Sequence, residues 1–350
     1  MTHVFIPGLE LARLFYQEAV APVLADALDG VPYSAALIGA GSEVQGFDTE
    51  RSMDHAWGPR LQVFLDSEHH RARAEGLEAL LERELPQEFR GFPVRFAYPF
   101  GTPDRHWVHL YDVRAYVRGA LGGEDPLDGL SVSAWLTTPA QVLRELTGGE
   151  VFHDGTGLLR PYRAALAWYP DDLWRHVLAA QWMRLSQEEP FVGRCGEVGD
   201  DLGSAVVAAR QVRDLMRLCL LMDRVYPPYS KWLGTAFARL DCARELAPLL
   251  SAALAAGSWQ QREEFLTPAY ESAARLCNGL GLTAPVDPSV RYFHDRPFLV
   301  LDSFRFADAL VGSIADPAVR ALPRVGAYDQ YVDNTDMGAA EVRGRYIAGP

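Results

Sequence analysis

Between Ala35 and Asp66 the chain gathers the residue types that a metal-bound polyphosphate requires. An apolar run from Ala35 to Ile38 breaks at Gly39 and Gly41, and Ser42 follows. A polar loop then carries Asp48, Asp54 and His55, ahead of a second apolar run from Leu61 to Leu65. Glycine lets a backbone approach a phosphate closely, and free N–H groups at a following helix start bind an anion. A divalent ion neutralises the phosphates and lowers the pKa of an attacking hydroxyl. Magnesium takes oxygen ligands, so Asp54 needs a second donor. Asp48 could supply it if the loop folds back. His55 suits manganese or zinc better than magnesium, and could instead bond Asp54 or orient the loop. Arg60, behind Gly58-Pro59, could aim at a phosphate or form a surface ion pair. Trp57 could stack on a base or close over the turn.

A second group lies far along the chain. All but one of the 33 Lys and Arg residues are arginine, and the exception is Lys231. It follows Tyr226-Pro227-Pro228-Tyr229-Ser230, where the prolines stop one helix and Ser230 can cap the next. A cation at a helix N-terminus is disfavoured by the dipole unless an anion is bound there too. A compact ammonium on a flexible stem can follow a phosphate in a way that a planar guanidinium cannot. Asp112 ends a strand, where it could bind metal or cap the helix from Val113. Arg210, Arg213, Asp214 and Arg217 share one helix face, a spacing that reads as an intrahelical ion-pair ladder rather than a phosphate clamp. Tyr292 to Phe298 interleaves aromatics with His294, Asp295 and Arg296, as a recognition loop or a turn folded onto the core.

Gly41-Ser42, the loop to Asp54 and the strand beyond resemble the signature of the polymerase-beta-like nucleotidyltransferases, which include the aminoglycoside nucleotidyltransferases. That signature is a strand, Gly-Ser, a loop, and two carboxylates one residue apart at the next strand. Here Ala56 stands at the second carboxylate, and Trp57-Gly58-Pro59-Arg60 intervenes before the strand. GSEVQGFD, MDHAWGPR and PPYSKWLG together resemble a bacterial family of nucleotidyltransferase-like proteins. The resemblance implies transfer of a nucleoside monophosphate, AMP from ATP, to a hydroxyl of a small polar acceptor, with Mg2+ or Mn2+. It implies metal at Asp54 and Asp112 and phosphate at Gly41, Ser42 and Lys231, while Asp48 or His55 for the metal and Arg60 for the phosphate rest on the reading of the residues above. It also implies a base in the helical half, for which Glu188, Glu189 and Asp201 are candidates. The nucleotide would lie between the two halves. The alternative on the same fold is a catalytically silent nucleotide- or ligand-binding protein, because Ala56 breaks the carboxylate pair.

The elements that must position these groups fall into two kinds. Helical spacing covers Leu9 to Leu28, with a kink at Pro22, and Ser67 to Leu85. Strands are expected at Tyr33–Ile38, Leu61–Leu65, Phe92–Tyr98 and Trp107–Val113, and helices from Val113 and from Thr138-Pro139. Residues 1–149 therefore read as an α/β domain around a small mixed sheet. After a Gly-rich junction from His153 to Gly157, residues 158–350 read as a helical bundle with a polar tail that contains Asp329, Asp333 and Asp336. At 350 residues the chain holds two ordinary domains.

Composition narrows the partners. A net charge of −13 argues against a general nucleic-acid binder. Cys195, Cys219, Cys242 and Cys277 lack paired spacing and read as reduced core thiols. Neither a secretory signal nor a bilayer-length apolar run is evident, so a cytoplasmic protein with no membrane partner is expected. A homodimer is left open.

Overall fold

A computed structural model of the chain describes residues 4–54, 57–96, 104–334 and Arg343, without the Asp54 side chain. It contains a mixed sheet and many helices. Of the described residues, those up to Ala134, 142–167 and Arg343 form one compact unit, and 135–141 with 168–334 form a second.

The first unit opens with α1 (Gly8–Phe15), a π-helical segment (Tyr16–Val20) and α2 (Ala21–Ala27). Pro22 lies in the first turn of α2 and cannot donate to Glu18, so the ladder widens just upstream. The expected kink is this wider turn. β1 (Ser34–Leu37) and β2 (Arg60–Leu65) follow, then α3 (Ser67–Glu84), which crosses back to β6 (Arg105–Asp112). The short strands β3 (Glu88–Phe89), β4 (Phe92–Pro93) and β5 (Arg95–Phe96) lie within that connection. α4 (Val113–Ala120) follows; residues 135–141, which hold half of α5 (Val132–Thr137) and the start of α6 (Ala140–Thr147), belong to the second unit, and the rest of α6, β7 (Glu150–Asp154) and α7 (Leu159–Ala165) complete the run of the first.

The sheet order is β5-β6-β2-β1-β7. β1 is antiparallel to β2 and to β7, while β2 and β6 are parallel, with Arg60 opposite Trp107 and Leu65 opposite Asp112. Alternation then sorts the side chains. Leu61, Val63, Leu65, Val108 and Leu110 enter a core with Leu11, Phe15 and Leu24 of the N-terminal helices and Leu77 and Leu81 of α3. Arg60, Gln62 and Phe64 share the other face with Trp107, His109 and Tyr111.

β7 was not expected, and its last two residues, His153 and Asp154, fall in the junction read from the sequence. Its strand character comes from pairing with β1, and Gly149 makes the entry. Gly149 has φ +67°, and a Cβ there would collide with the Leu37 carbonyl oxygen. Its own N–H donates to Val44 O at 2.8 Å.

The second unit is helical: α8 (Asp171–Glu188), α9 (Phe191–Glu197), α10 (Asp201–Met222), α11 (Ser230–Phe237), α12 (Ala243–Ala255) and α13 (Trp259–Gly279). The hairpin β8 (Arg291–Tyr292) and β9 (Leu299–Val300) follows, then α14 (Phe304–Gly312) and α15 (Pro317–Arg320). Trp182 is fully buried, stacked on Phe306 at 4.7 Å, with its indole N–H on Cys277 Sγ. Tyr270 donates to Gln211 at 3.0 Å within the same interior. α9 was also unexpected, because Gly193 and Gly196 look like helix breakers. Both are needed: a Cβ on Gly193 would lie 2.5 Å from Phe298 Cγ, and one on Gly196 would collide with the Trp259 ring. No helix among the described residues is long and apolar enough to cross a membrane.

Gly149→Ala should cost its unit about 2 kcal/mol, or about 4–8 °C in thermal unfolding, through forbidden backbone and the blocked Leu37 carbonyl. Unfolding indistinguishable from wild type would show that β7 does not depend on this turn.

Candidate functional site

The antiparallel β1–β2 pair brings the end of β1 beside the start of β2, so Gly39 to Ser42 and Arg60 meet at one end of the sheet. Gly39 has φ +85° and no side chain, which leaves room for the Tyr116 hydroxyl of α4 (a Cβ would meet it at 2.7 Å). Its N–H donates to Glu145 O at 2.9 Å. The chain then closes a turn in which Ser42 O accepts from Gln45 N and Phe47 N. The helix start expected behind Gly41-Ser42 is therefore a turn.

Arg60 is not directed at an open phosphate site. Its Nε donates to Glu43 Oε1 at 2.6 Å, and its Nη2 lies 2.5 Å from the same oxygen and 2.7 Å from Ala40 O. The two side chains are 12% and 3% exposed, so this is a mostly buried pair rather than a surface one. Gly41 is required here, since a Cβ on it would collide with Arg60 Nη2 and come within 2.7 Å of Glu43 Oε2. The neighbouring polar side chain, Gln62, is spent as well. Its amide accepts from Ile38 N at 3.1 Å and donates to Ile38 O at 3.0 Å, completing the β1 ladder.

Beside Gln62 stands His109, flanked by Trp107 at 5.7 Å and Tyr111 at 6.3 Å between ring centres. Burial, with repulsion from Arg105, His106 and Arg60, brings this imidazole down to about 4. Burial holds the Tyr116 hydroxyl protonated well above the ordinary tyrosine range. Glu43, Gln62 and His109 were not singled out from the sequence. The readable signal was a polar residue inside each of two otherwise apolar or aromatic strands.

The expected metal donors divide. Asp48 accepts from Gly8 N at 2.7 Å and from the Trp57 indole at 3.2 Å, both on Oδ2, so it ties α1 to the loop. Trp57 itself is buried, stacked on Phe5 and edge-on to Phe92, so it closes the turn rather than offering a face to a base. Asp112 lies five positions along β6 from the partner of Arg60, about 16 Å away at strand rise. There its Oδ1 accepts from Arg114 N and Ala115 N as the cap of α4. The helix-cap reading of Asp112 is the one the structure shows, at the opposite end of the sheet from Gly41. Asp54 ends a 3-10 turn (Glu50–Asp54) ahead of β2, and its side chain and His55 lie outside the described residues. Among the described residues, no group of three or more His, Cys, Asp and Glu is arranged to hold a metal ion.

In the second unit, Lys231 is exposed in the first turn of α11, with Nζ 4.9 Å from the Trp232 ring centre. Tyr229 is the N-cap, so Ser230 is the first helical residue rather than the cap. Glu188 is held by Arg210 through both oxygens, at 2.5 and 2.7 Å. Glu189 accepts from Leu301 N, Ser303 N and Ser303 Oγ, and burial pushes its carboxyl up to about 7. Asp201 is exposed at the start of α10. Glu188 is thus held in an ion pair, and Glu189 is buried under three hydrogen bonds within its own unit. Phe293 stacks on Phe298 and Arg296 pairs with Glu197, so the Tyr292–Phe298 segment is a turn folded onto its own unit.

A family model, Domain of unknown function (DUF4037), matches residues 135–233, under a third of the chain. That stretch includes Lys231, Glu188 and Arg210 but not the Gly41–Arg60 end of the sheet. No curated protein and no solved structure matches the chain.

Glu43→Ala should cost about 3 kcal/mol in denaturant unfolding, because it strands a buried guanidinium, whereas Glu43→Leu with Arg60→Met should recover most of that loss. An equal loss from the single and double variants would mean that the pair is not coupled. His109 sets a pH dependence. Its unfolded pKa is near 6.5 and its folded pKa near 4, so protons bind the unfolded chain first. Its stabilisation is whole above about 6.5 and drains as pH falls toward 4. His109→Gln should flatten the stability decline between those pH values, and an unchanged decline would assign it to other groups.

Proposed function

We propose that the first unit binds a nucleoside triphosphate at the Gly39–Ser42 end of β1 and holds it without transferring a nucleoside monophosphate. The observation that carries this reading is the commitment of the described polar groups at that end. Arg60 is neutralised by Glu43, Gln62 completes a strand, and Asp48 ties α1 to Trp57. Asp112 caps a helix at the far end of the sheet, and the Ala56 side chain has no donor atom. These donors do not fit a pair of magnesium ions, which need shared carboxylates. Support for nucleotide binding comes from the glycine turn, whose geometry admits close approach of a phosphate, and from the nucleotidyltransferase resemblance of GSEVQGFD and MDHAWGPR.

The second reading keeps transfer: AMP from ATP to a hydroxyl of a small polar acceptor, with Mg2+ or Mn2+ held at Asp54. It is favoured by the place of Asp54, just ahead of the strand that starts with Arg60.

Titration calorimetry with ATP separates the two. Binding of similar strength in EDTA and in magnesium, weakened about tenfold or more by the like charge of Ser42→Glu, is expected. No pyrophosphate should be released. Magnesium-dependent pyrophosphate release that is lost in Asp54→Asn would establish transfer instead, and absence of ATP binding under both conditions would remove both readings.

A further inference from the structure

The second unit contains a cluster of buried cations whose donors are only partly used. Arg184 comes from α8, and Arg213 and Arg217 from successive turns of α10. They surround Asp214, which is 1% exposed: Arg184 Nη2 is 3.4 Å from Oδ2, and Arg213 Nε is 3.6 Å from Oδ1. Arg217 is itself only 8% exposed and shares the field of Asp214. Arg210, on the same helix, is not part of the cluster, being held in both arms by Glu188. The face is therefore not an intrahelical ladder. Its arginines reach other elements.

What covers the cluster is the segment 327–334. Arg184 Nη1 donates to Gln330 O, Arg217 Nη1 to Asp329 O at 2.7 Å, and Arg213 Nη1 pairs with Asp333 at 3.0 Å. Gln330 anchors the segment through Val177 O and Gln181 Oε1. From this segment the three guanidiniums draw two backbone carbonyls, the 71% exposed carboxylate of Asp333 and the field of the Asp329 carboxylate, which itself accepts from Ala140 N at 2.6 Å. Planar guanidinium forks suit carboxylate and phosphate oxygens, which they take two at a time. The shortfall is visible: Nε of Arg184, of Arg213 and of Arg217 is buried without a hydrogen-bond partner. Leaving a buried donor unmet is unfavourable, and here three occur around one carboxylate. With residues 327–334 lifted away, three positive charges would face Asp214 alone.

We propose that Arg184, Arg213 and Arg217 form a binding site for the phosphoryl oxygens of a small polyphosphate, covered by the chain's own segment 327–334 until such a ligand displaces it. The site belongs wholly to the second unit and does not depend on nucleotide binding by the first. An incoming oxyanion supplies acceptors to the three Nε–H groups and takes over the charge that Asp333 offsets. Asp333 is the competing anion, and Gln330 is the hinge pin that the segment must release.

The test uses inorganic tripolyphosphate and the full chain at low ionic strength, with calorimetry and hydrogen exchange read together. Tripolyphosphate should bind and raise exchange in residues 327–334. Arg184→Met and Arg213→Met should each weaken binding about tenfold or more, the size expected for a lost hydrogen bond to a charged group. Asp333→Asn, at an exposed position that tolerates change, should tighten binding about threefold by removing the competitor. In Ser42→Glu, tripolyphosphate should still raise exchange in residues 327–334 to the wild-type extent, which separates this site from the one on the first unit. Failure of Asp333→Asn to bind tripolyphosphate, binding indifferent to both arginine variants, or unchanged exchange in 327–334 would each overturn the proposal.

Discussion

The polar end of the sheet is organised by one ion pair. Glu43 and Arg60 come from opposite sides of the loop that joins β1 to β2, and their contact closes that loop over Gly41. A guanidinium with this little exposure needs a full partner, because an unpaired buried charge is far more costly than a paired one is favourable. The partner fixes where the turn runs, the turn fixes Gly39 beneath Tyr116, and Gln62 then stitches Ile38 to the neighbouring strand. The same pair that shapes the glycine turn also occupies the Arg60 guanidinium at that end of the sheet.

The second unit shows the opposite balance. Its charges are buried beyond what their partners satisfy. Glu189 is well served by Leu301 and Ser303, and Glu188 by Arg210, so these carboxylates bind the unit together. The arginines around Asp214 are not equally well served, and the segment laid over them meets them with main-chain oxygens, the peripheral Asp333 and the field of Asp329. Structural polar networks are generally completed. An incomplete one made of guanidiniums has a chemical direction, toward oxyanions.

Much of the architecture was legible from periodicity and capping. α3 (Ser67–Glu84) runs within a residue of the span its helical spacing gives, and helices dominate the second half of the chain as expected. The elements that escaped notice are those whose local signals point elsewhere. β7 is five residues of mixed polarity between glycines, and it is a strand because β1 offers it a ladder more than a hundred residues earlier in the chain. α9 contains two glycines that a propensity argument reads as breaks. They are there because Phe298 and Trp259 lie where Cβ atoms would be.

The sequence by itself determined the residue types at the glycine turn, the loss of a carboxylate at Ala56, the solitary lysine and the change from sheet to helices. Composition and spacing are local properties, and these follow from them. Only the tertiary structure decided what each charged group is paired with. Arg60 met Glu43, Asp112 met the N-terminus of α4 at the far end of β6, Glu188 met Arg210, and three arginines met the chain's own tail. Pairing depends on which distant segments the fold brings within about 3 Å of one another. No spacing along the chain encodes that distance, and the chemistry open to each side chain follows from the partner it already has.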